Sequence, residues 1–75
     1  MNVGIKLKEI RKKAKLTQKQ LALKLGNGGY TEFTVSAIEN GKRKVGFDVC
    51  EDWAAACGFV MIVDFVEIFK ETGHE

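Results

Sequence analysis

Two short stretches of the sequence decide the fold: LTQKQLALKLG at residues 16–26 and TEFTVSAIENG at residues 31–41. In the first, Thr17 and Gln20 have the spacing of a capping box, in which the threonine hydroxyl accepts from the third helical amide and the glutamine reaches back. Apolar residues follow at helical spacing until a glycine ends the run. In the second, Thr31 is a helix cap and an Asn-Gly pair closes the helix. The sequence therefore predicts two short helices joined by a turn.

A first helix is predicted before this pair. Its apolar residues recur at helical spacing and form one stripe, which consists of Val3, Leu7, Ile10 and Ala14. Asn2 is in position to cap this helix, and Lys15 ends it where Gly or Asn is the usual left-handed terminator. We therefore expect mild backbone strain at Lys15.

A fourth helix is predicted over residues 47–57, with Trp53 on its flank and the next glycine as its end. Its inward-facing residues are expected to be Phe47, Cys50, Ala54 and Cys57. On one helix the two cysteines lie about 10 Å apart along the axis, which is beyond disulfide reach. They are therefore predicted to be reduced core residues with no metal or redox role.

Residues 59–66, FVMIVDFV, are β-branched and aromatic, which predicts a β-strand with apolar side chains on both faces. The helices can cover one face only, and the backbone edge of the strand needs hydrogen-bonding partners. Pairing with the same strand of a second copy solves both problems, so we predict a homodimer. Its interface is expected to contain Phe59, Met61, Val63 and Phe65. Trp53 is assigned either to this interface or to the core.

The predicted fold class is mainly α, with four to five helices and one C-terminal β-strand paired across a homodimer. Residues 1–58 form the helical domain, and residues 59–75 are the strand and tail of the same domain. A chain of 75 residues has no room for a second core, and 45% hydrophobic with 29% charged residues is a globular composition. The longest apolar stretch is too short to span a bilayer, and the N-terminus lacks the apolar region of a signal peptide. We therefore expect a soluble cytoplasmic protein with no membrane partner.

The charges divide unevenly along the chain. Residues 1–44 hold eleven Lys and Arg against three acids, whereas residues 45–75 hold one Lys against seven acids. A basic field of this density is typical of proteins that bind nucleic acid or another anionic surface, and the acidic end is expected to point away from it. The alternative is that solvated lysines only keep a small protein soluble.

The sequence offers no catalytic constellation. No nucleophile and base, metal-ligand cluster or phosphate-cradling glycine loop can be assembled, and His74 is alone near the terminus. The Asn-Gly-Gly run at residues 27–29 lacks the Lys and Ser/Thr of a P-loop and is interpreted as a linker. We therefore expect no enzymatic activity, no cofactor and no metal.

An ordered set of residues resembles the signature of the Cro and phage-repressor type helix-turn-helix family, the XRE family. The set consists of Arg11, LTQ at 16–18, LA at 21–22, LG at 25–26, VS at 35–36 and IENG at 38–41. The resemblance covers residues 3–58 and implies a repressor-type domain that reads the major groove of double-stranded DNA. It also implies a bacterial or phage-encoded protein associated with the nucleoid.

One departure from the family is a lengthened turn, since the stretch 26–39 is about three residues longer than usual. We interpret the excess at residues 27–30 as a surface-loop insertion, with Tyr30 folded back over the core. The alternative is a tilted or shifted third helix, which would change the base contacts first.

The resemblance also implies which residues contact DNA. Arg11 is expected to pair with Glu39, and its remaining N–H groups to face a phosphate. The expected phosphate contacts are Arg11, Gln18, Lys19, Asn40, Lys42 and Lys44, with the amides around Asn40 and Gly41. The expected base contacts are Glu32, Phe33, Thr34, Ser36 and Ala37. Glu can accept from a cytosine amino group and Phe can pack on a thymine methyl, but no Arg, Asn or Gln is present for bidentate contacts with purines. Specificity is therefore expected to be weak or to depend on DNA shape.

The predicted function is a sequence-dependent transcription regulator, of the repressor or antitoxin type, that binds DNA as a dimer. Some family members, including antitoxins, are similar in carrying a strand after the fourth helix that pairs across the dimer. Such pairing places the DNA-reading helices of the two copies about 34 Å apart, which is one turn of DNA. The alternative is a protein-binding module that uses the Glu32 and Phe33 face, or the strand edge, to bind a toxin or another regulator.

Overall fold

The computed structural model describes residues 3–26 and 29–62, in which the chain folds into four α-helices. They are α1 (Val3–Lys13), α2 (Gln18–Leu25), α3 (Glu32–Glu39) and α4 (Phe47–Ala56). The four predicted helices are therefore confirmed, and the proposed cap Asn2 lies outside the described residues. Among the described residues, no helix is long and apolar enough to cross a membrane.

The helix α2 begins with the predicted capping box. The Gln20 N–H donates to Thr17 Oγ1 at 3.0 Å, and the Thr17 N–H donates to Gln20 Oε1 at 2.9 Å. A cap of this kind contributes about 0.5–2 kcal/mol. It therefore fixes where α2 starts by chemistry confined to four residues.

Three helices end in a Schellman motif, in which the two amides that follow the helix bond back to its last carbonyls. The residue at the turn has a positive φ each time: 60° at Lys15, 74° at Gly41 and 81° at Gly58. After α1, the N–H groups of Lys15 and Leu16 donate to helix carbonyls at 2.9 and 3.2 Å, and the same pair of bonds follows α3 and α4. The left-handed conformation expected at Lys15 is confirmed.

The lengthened turn between α2 and α3 leaves both helices intact. Gly26 ends α2 with a φ of 87°, and Thr31 begins α3 by accepting from the Thr34 N–H at 3.3 Å. Tyr30 is half-buried and packs against the core, as predicted. The turn is thus tied to the core at its α3 end.

The core lies between the four helices. Four side chains are essentially inaccessible to solvent: Leu21 of α2, Val35 and Ile38 of α3, and Trp53 of α4. The Trp53 indole N–H donates to the Leu7 carbonyl at 3.1 Å, so the one polar atom of the ring is satisfied. Both α3 and α4 pack against α1 and α2. The position of α3 is therefore set by the two helices that precede it.

Two predictions about the inner face of α4 are wrong. Phe47, expected to face inward, is 66% exposed, and Trp53, expected on the flank, is fully buried. Of the two assignments made for Trp53, the core is therefore confirmed. The buried stripe is instead Cys50, Trp53, Ala54 and Cys57, which has complete i, i+3, i+4, i+7 spacing. Phe47 is the first residue of α4 and lies beyond this stripe. Both cysteines are free and buried, as predicted.

Residues 59–62, where a strand is predicted to begin, belong to no helix or strand. An isolated strand leaves its backbone edge without hydrogen-bonding partners, and the described part of the chain contains no other strand to pair with it. The Phe59 N–H instead donates to the Ala54 carbonyl at 2.8 Å and completes the end of α4. Val63 and Phe65 lie outside the described residues.

Candidate nucleic-acid interface

Arg11 and Glu39 form the ion pair expected from the family resemblance, and both are buried, at 7% and 4% exposure. The Arg11 Nε–H donates to Glu39 Oε2 at 2.6 Å, and an Nη2–H donates to Oε1 at 3.1 Å. An Nη1–H donates to the Leu16 carbonyl at 2.8 Å. Three donors of Arg11 are thus engaged inside the protein. Its main contribution is to position α3, and little of its surface is left for the expected phosphate contact.

Gln18, the first residue of α2, joins the same network. Its Nε2–H donates to Glu39 Oε1 at 3.0 Å, so the glutamine is held against the end of α3. The backbone N–H groups of Gln18 and Lys19 make no hydrogen bond within the described residues, as is usual for the first turn of a helix. Such free amides carry partial positive charge and bind anions. The network therefore gathers the side chains of Arg11 and Gln18 around the Glu39 carboxylate.

The backbone after α3 differs from the expectation of a phosphate clamp built from amides. The N–H groups of Asn40, Gly41 and Lys42 donate to α3 carbonyls, at 3.0, 3.1 and 2.8 Å for the bonds to Ser36, Ile38 and Ala37. The Asn40 bond continues the helical pattern and the other two form the Schellman motif, so none of the three amides is free for a ligand. The side chains of Asn40, Lys42 and Lys44 remain exposed, and they can still reach a phosphate.

The outward face of α3 carries the expected base contacts. Glu32 and Phe33 are exposed, and Phe33 is 78% exposed, while the other three are half-buried. The Thr34 hydroxyl lies 3.3 Å from the Thr31 hydroxyl, and Ser36 Oγ accepts from Asn40 Nδ2 at 3.3 Å. The exposed side chains of this face that make no hydrogen bond to a neighbouring residue are therefore those of its first two residues, Glu32 and Phe33.

A shallow groove between α2 and the start of α3 brings further residues to this face. It is lined by Lys19, Ala22, Leu23, Tyr30, Thr31, Glu32 and Phe33. Leu23, 74% exposed, and Tyr30 were not among the residues expected from the sequence. The signal for Leu23 is that it falls outside the buried stripe of α2, so a leucine stands on the outer surface. The neighbours Gln18 and Lys19 thus reach opposite ends of α3.

Most cations of the described residues have no internal partner. Of the eleven Lys and Arg side chains in residues 3–26 and 29–62, only Lys6 and Arg11 form ion pairs there. The charges also separate by element, since α1 carries five Lys and Arg against one Glu, whereas α4 carries three acids and no cation. Unpaired cations of this number are available for an anionic polymer.

The geometry defines a class of protein. A helix with a solvated outer face follows a helix whose first amides are free, with a turn between them, and this is the arrangement of a DNA-binding helix-turn-helix protein. The chain belongs to the XRE-type helix-turn-helix family, whose model matches residues 7–62. The resemblance inferred from the sequence for residues 3–58 is confirmed over residues 7–58. No curated protein and no solved structure matches the chain.

Proposed function

We propose that this protein is a sequence-dependent transcription regulator, of the repressor or antitoxin type, that reads the DNA major groove as a homodimer. The observation that carries the proposal is the buried network of Arg11, Gln18 and Glu39, which locks the start of α2 to the end of α3. A rigid link of this kind lets phosphate contacts at α2 set the register of α3 in the groove. In this proposal the protein acts where DNA is present, and it catalyses no reaction.

Affinity in this proposal comes from the sequence-independent contacts. Gln18 and the two free amides of α2 hold one phosphate, and the exposed Lys42 and Lys44 hold another on the far side of α3. Lys19 is an outer contact. Base selection is then left to the exposed first turn of α3.

Dimerisation is supported by an apolar surface away from α3. A cavity between α1, α4 and the segment that follows α4 is lined almost entirely by apolar residues, including Phe47, Phe59 and Val60. Of these three, Phe47 is 66% exposed, Phe59 38% and Val60 85%. Exposed apolar residues grouped in this way mark a protein contact. A second copy joined here would present two α3 helices to successive major grooves.

The test is binding of the full chain to duplexes selected from a random pool, measured as a function of salt concentration. We expect affinity to fall steeply as salt rises, and Gln18→Ala and Lys44→Ala to weaken binding to all sequences. Lys44→Ala should also reduce the slope of log K against log salt by about one. Lys24→Ala is the matched control, because Lys24 lies in the last turn of α2, at the opposite end from Gln18. Binding that is independent of salt, or unchanged in both variants, contradicts the proposal.

A second candidate is a protein-binding module on the same scaffold. It is favoured by the exposed apolar side chains of Leu23 and Phe33 in the α2–α3 groove. In that case Phe33→Ala should abolish capture of a protein partner, while Gln18→Ala and Lys44→Ala should have no effect. The DNA-binding experiment therefore separates the two candidates.

A further inference from the structure

The first turn of α3 offers an unusual pair of recognition groups. The hydroxyls of Thr31, Thr34 and Ser36 are all engaged in hydrogen bonds with neighbouring residues. The Glu32 carboxylate, in contrast, makes no hydrogen bond or ion pair within the described residues. Next to it, the Phe33 ring is 78% exposed. One free acceptor and one bare aromatic ring therefore stand side by side.

The apolar surface extends beyond Phe33. Leu23 of α2 is 74% exposed and lines the same groove, whose inner wall is Ala22 and Tyr30. Lys19 lies at the edge of this groove and has no ion-pair partner among the described residues. The groove thus has an apolar floor, a negative group on one side and a positive group available for a phosphate.

The largest apolar group on the major-groove edge of a base pair is the C5-methyl group of a pyrimidine. Guanine presents two acceptors, N7 and O6, and adenine sets its N7 acceptor beside its amino donor, so either purine edge has at least one group that repels a carboxylate. The cytosine amino group is a donor with no acceptor beside it on the same base, and a carboxylate can accept from it. Lys19 matches the negative charge of the backbone. The groove is therefore complementary to pyrimidines and not to the guanine edge that Arg and Lys usually read.

We propose that the α2–α3 groove recognises a C5-methyl pyrimidine, with Leu23 and Phe33 contacting the methyl group and Glu32 accepting from the amino group of a neighbouring cytosine. This inference rests on the proposed function, since it names the bases read by the same helix. The methyl group has two sources, thymine and 5-methylcytosine, and the chemistry of the contact is the same for both.

The test starts from the best duplex selected by the full chain from a random pool. Each thymine is replaced in turn by deoxyuridine, which removes the C5-methyl group and nothing else. We expect replacement at one or two positions to weaken binding about three- to fivefold, the factor for losing one buried methyl-sized group. Phe33→Ala should bind the original duplex more weakly and lose this sensitivity. Ile5→Ala, which also removes an exposed apolar side chain but from α1, should keep it.

A second arm distinguishes the sources of the methyl group. The selection is repeated with a pool in which every cytosine carries a C5-methyl group. If thymine is the source, both pools yield thymine at the sensitive position; if 5-methylcytosine is the source, the second pool yields cytosine there and binds more tightly. Either result supports the proposal. Glu32→Gln should relax the preference for cytosine at the neighbouring position.

Two results overturn the inference in distinguishable ways. If deoxyuridine and cytosine methylation change affinity by less than twofold at every position, while binding stays sensitive to salt and to Lys44→Ala, the groove does not read methyl groups and the proposed function stands. If no duplex is bound in a salt-dependent manner, the proposed function fails as well. Phe33 is exposed and alanine favours helices, so Phe33→Ala should fold normally.

Discussion

Glu39 is the residue on which the arrangement of three helices depends. Its carboxylate accepts two hydrogen bonds from Arg11 of α1 and one from Gln18 of α2, and its side chain is 1% exposed. A buried charge is tolerated only when it is paired and hydrogen-bonded, and both conditions are met here. Removing one member therefore leaves the other charge buried without compensation.

We expect Glu39→Ala to lower the free energy of unfolding by about 3–5 kcal/mol, the usual cost of stranding one partner of a buried pair. Urea denaturation followed by circular dichroism measures this change. Glu39→Gln, which keeps a hydrogen-bond acceptor, should lose less and remain folded. Glu9→Ala is the control, because the Lys6–Glu9 pair is exposed and 3.9 Å long, and its loss should cost less than about 0.5 kcal/mol. Equal losses in the two alanine variants would contradict the argument.

The two cysteines make stability depend on alkaline pH. Burial raises the pKa of Cys50 and Cys57 above the ordinary value of 9.0, and the nearby Asp48 carboxylate raises that of Cys50 further. The folded state therefore disfavours the thiolate. The contribution of the two thiols to stability is fully present below the thiol pKa of the unfolded chain and is lost as the pH rises above it. We expect the free energy of unfolding to fall as pH rises above about 9, and to fall less steeply in Cys57→Ala. An identical pH dependence in the variant would show that the thiol is not responsible.

At the scale of the elements, helix ends are built from short-range hydrogen bonds, and the end of α1 has a strained backbone. Lys15 occupies the left-handed position of the α1 Schellman motif, with a φ of 60°, where the other two motifs have glycine. A non-glycine residue in this conformation costs about 1–2 kcal/mol. Glycine removes this cost, but part of the gain is lost because glycine has greater conformational freedom in the unfolded chain.

We expect Lys15→Gly to raise the free energy of unfolding by up to about 1 kcal/mol, because it removes the left-handed strain. The exposed Lys12 in the last turn of α1 provides the matched control. Lys12→Gly makes the same chemical change in helical geometry and should lower stability by about 1 kcal/mol. Thermal unfolding of the two variants should therefore shift in opposite directions. A shift in the same direction would rule out strain at Lys15 as the cause.

The element ends could be predicted from the sequence because their chemistry is local. Thr17 and Gln20 lie three residues apart, and the caps at Thr31 and Gly26 need no information from the rest of the fold. The inner face of α4 could not be predicted as well. The stripes that start at Phe47 and at Cys50 overlap, and only packing against the other helices selects the one with Trp53 inside.

The candidate site, like the helices, could be predicted from the sequence only in part. The pair of Arg11 and Glu39 followed from the family resemblance, because these residues are 28 positions apart and no local pattern joins them. The bond from Gln18 to Glu39 depends on how α2 crosses α3, which periodicity does not report. The family resemblance predicts that the amides after α3 bind a phosphate, but they donate to carbonyls of α3 instead. Residue types could thus be assigned to the site, whereas the partners of each atom required tertiary structure.

At the scale of the whole molecule, the apolar surface near α4 should control self-association. We expect the wild-type chain to be dimeric at micromolar concentration and Phe47→Glu to be monomeric, as measured by sedimentation velocity. Glu at the first residue of α4 is favourable for the helix dipole, so the variant should remain folded. The thermal midpoint of the wild type should also rise with protein concentration.

The control for this experiment is Ile5→Glu, which places the same charge at an exposed apolar position of α1 outside the cavity at Phe47. It should leave the dimer intact. A wild-type chain that sediments as a monomer at all concentrations would contradict the expectation of a dimer, and with it the spacing of two half-sites.

Trp53 also supplies an optical signal, because it is the only tryptophan of the chain and is fully buried. Its fluorescence should lie at short wavelength in the native protein and move to the red on unfolding, when the indole leaves the Leu7 carbonyl and meets water. A ligand seated on the solvated face of α3 does not touch this ring, so its emission should stay unchanged on complex formation. One sample can therefore report unfolding by its own fluorescence and DNA binding by a dye on the duplex, without interference between the two.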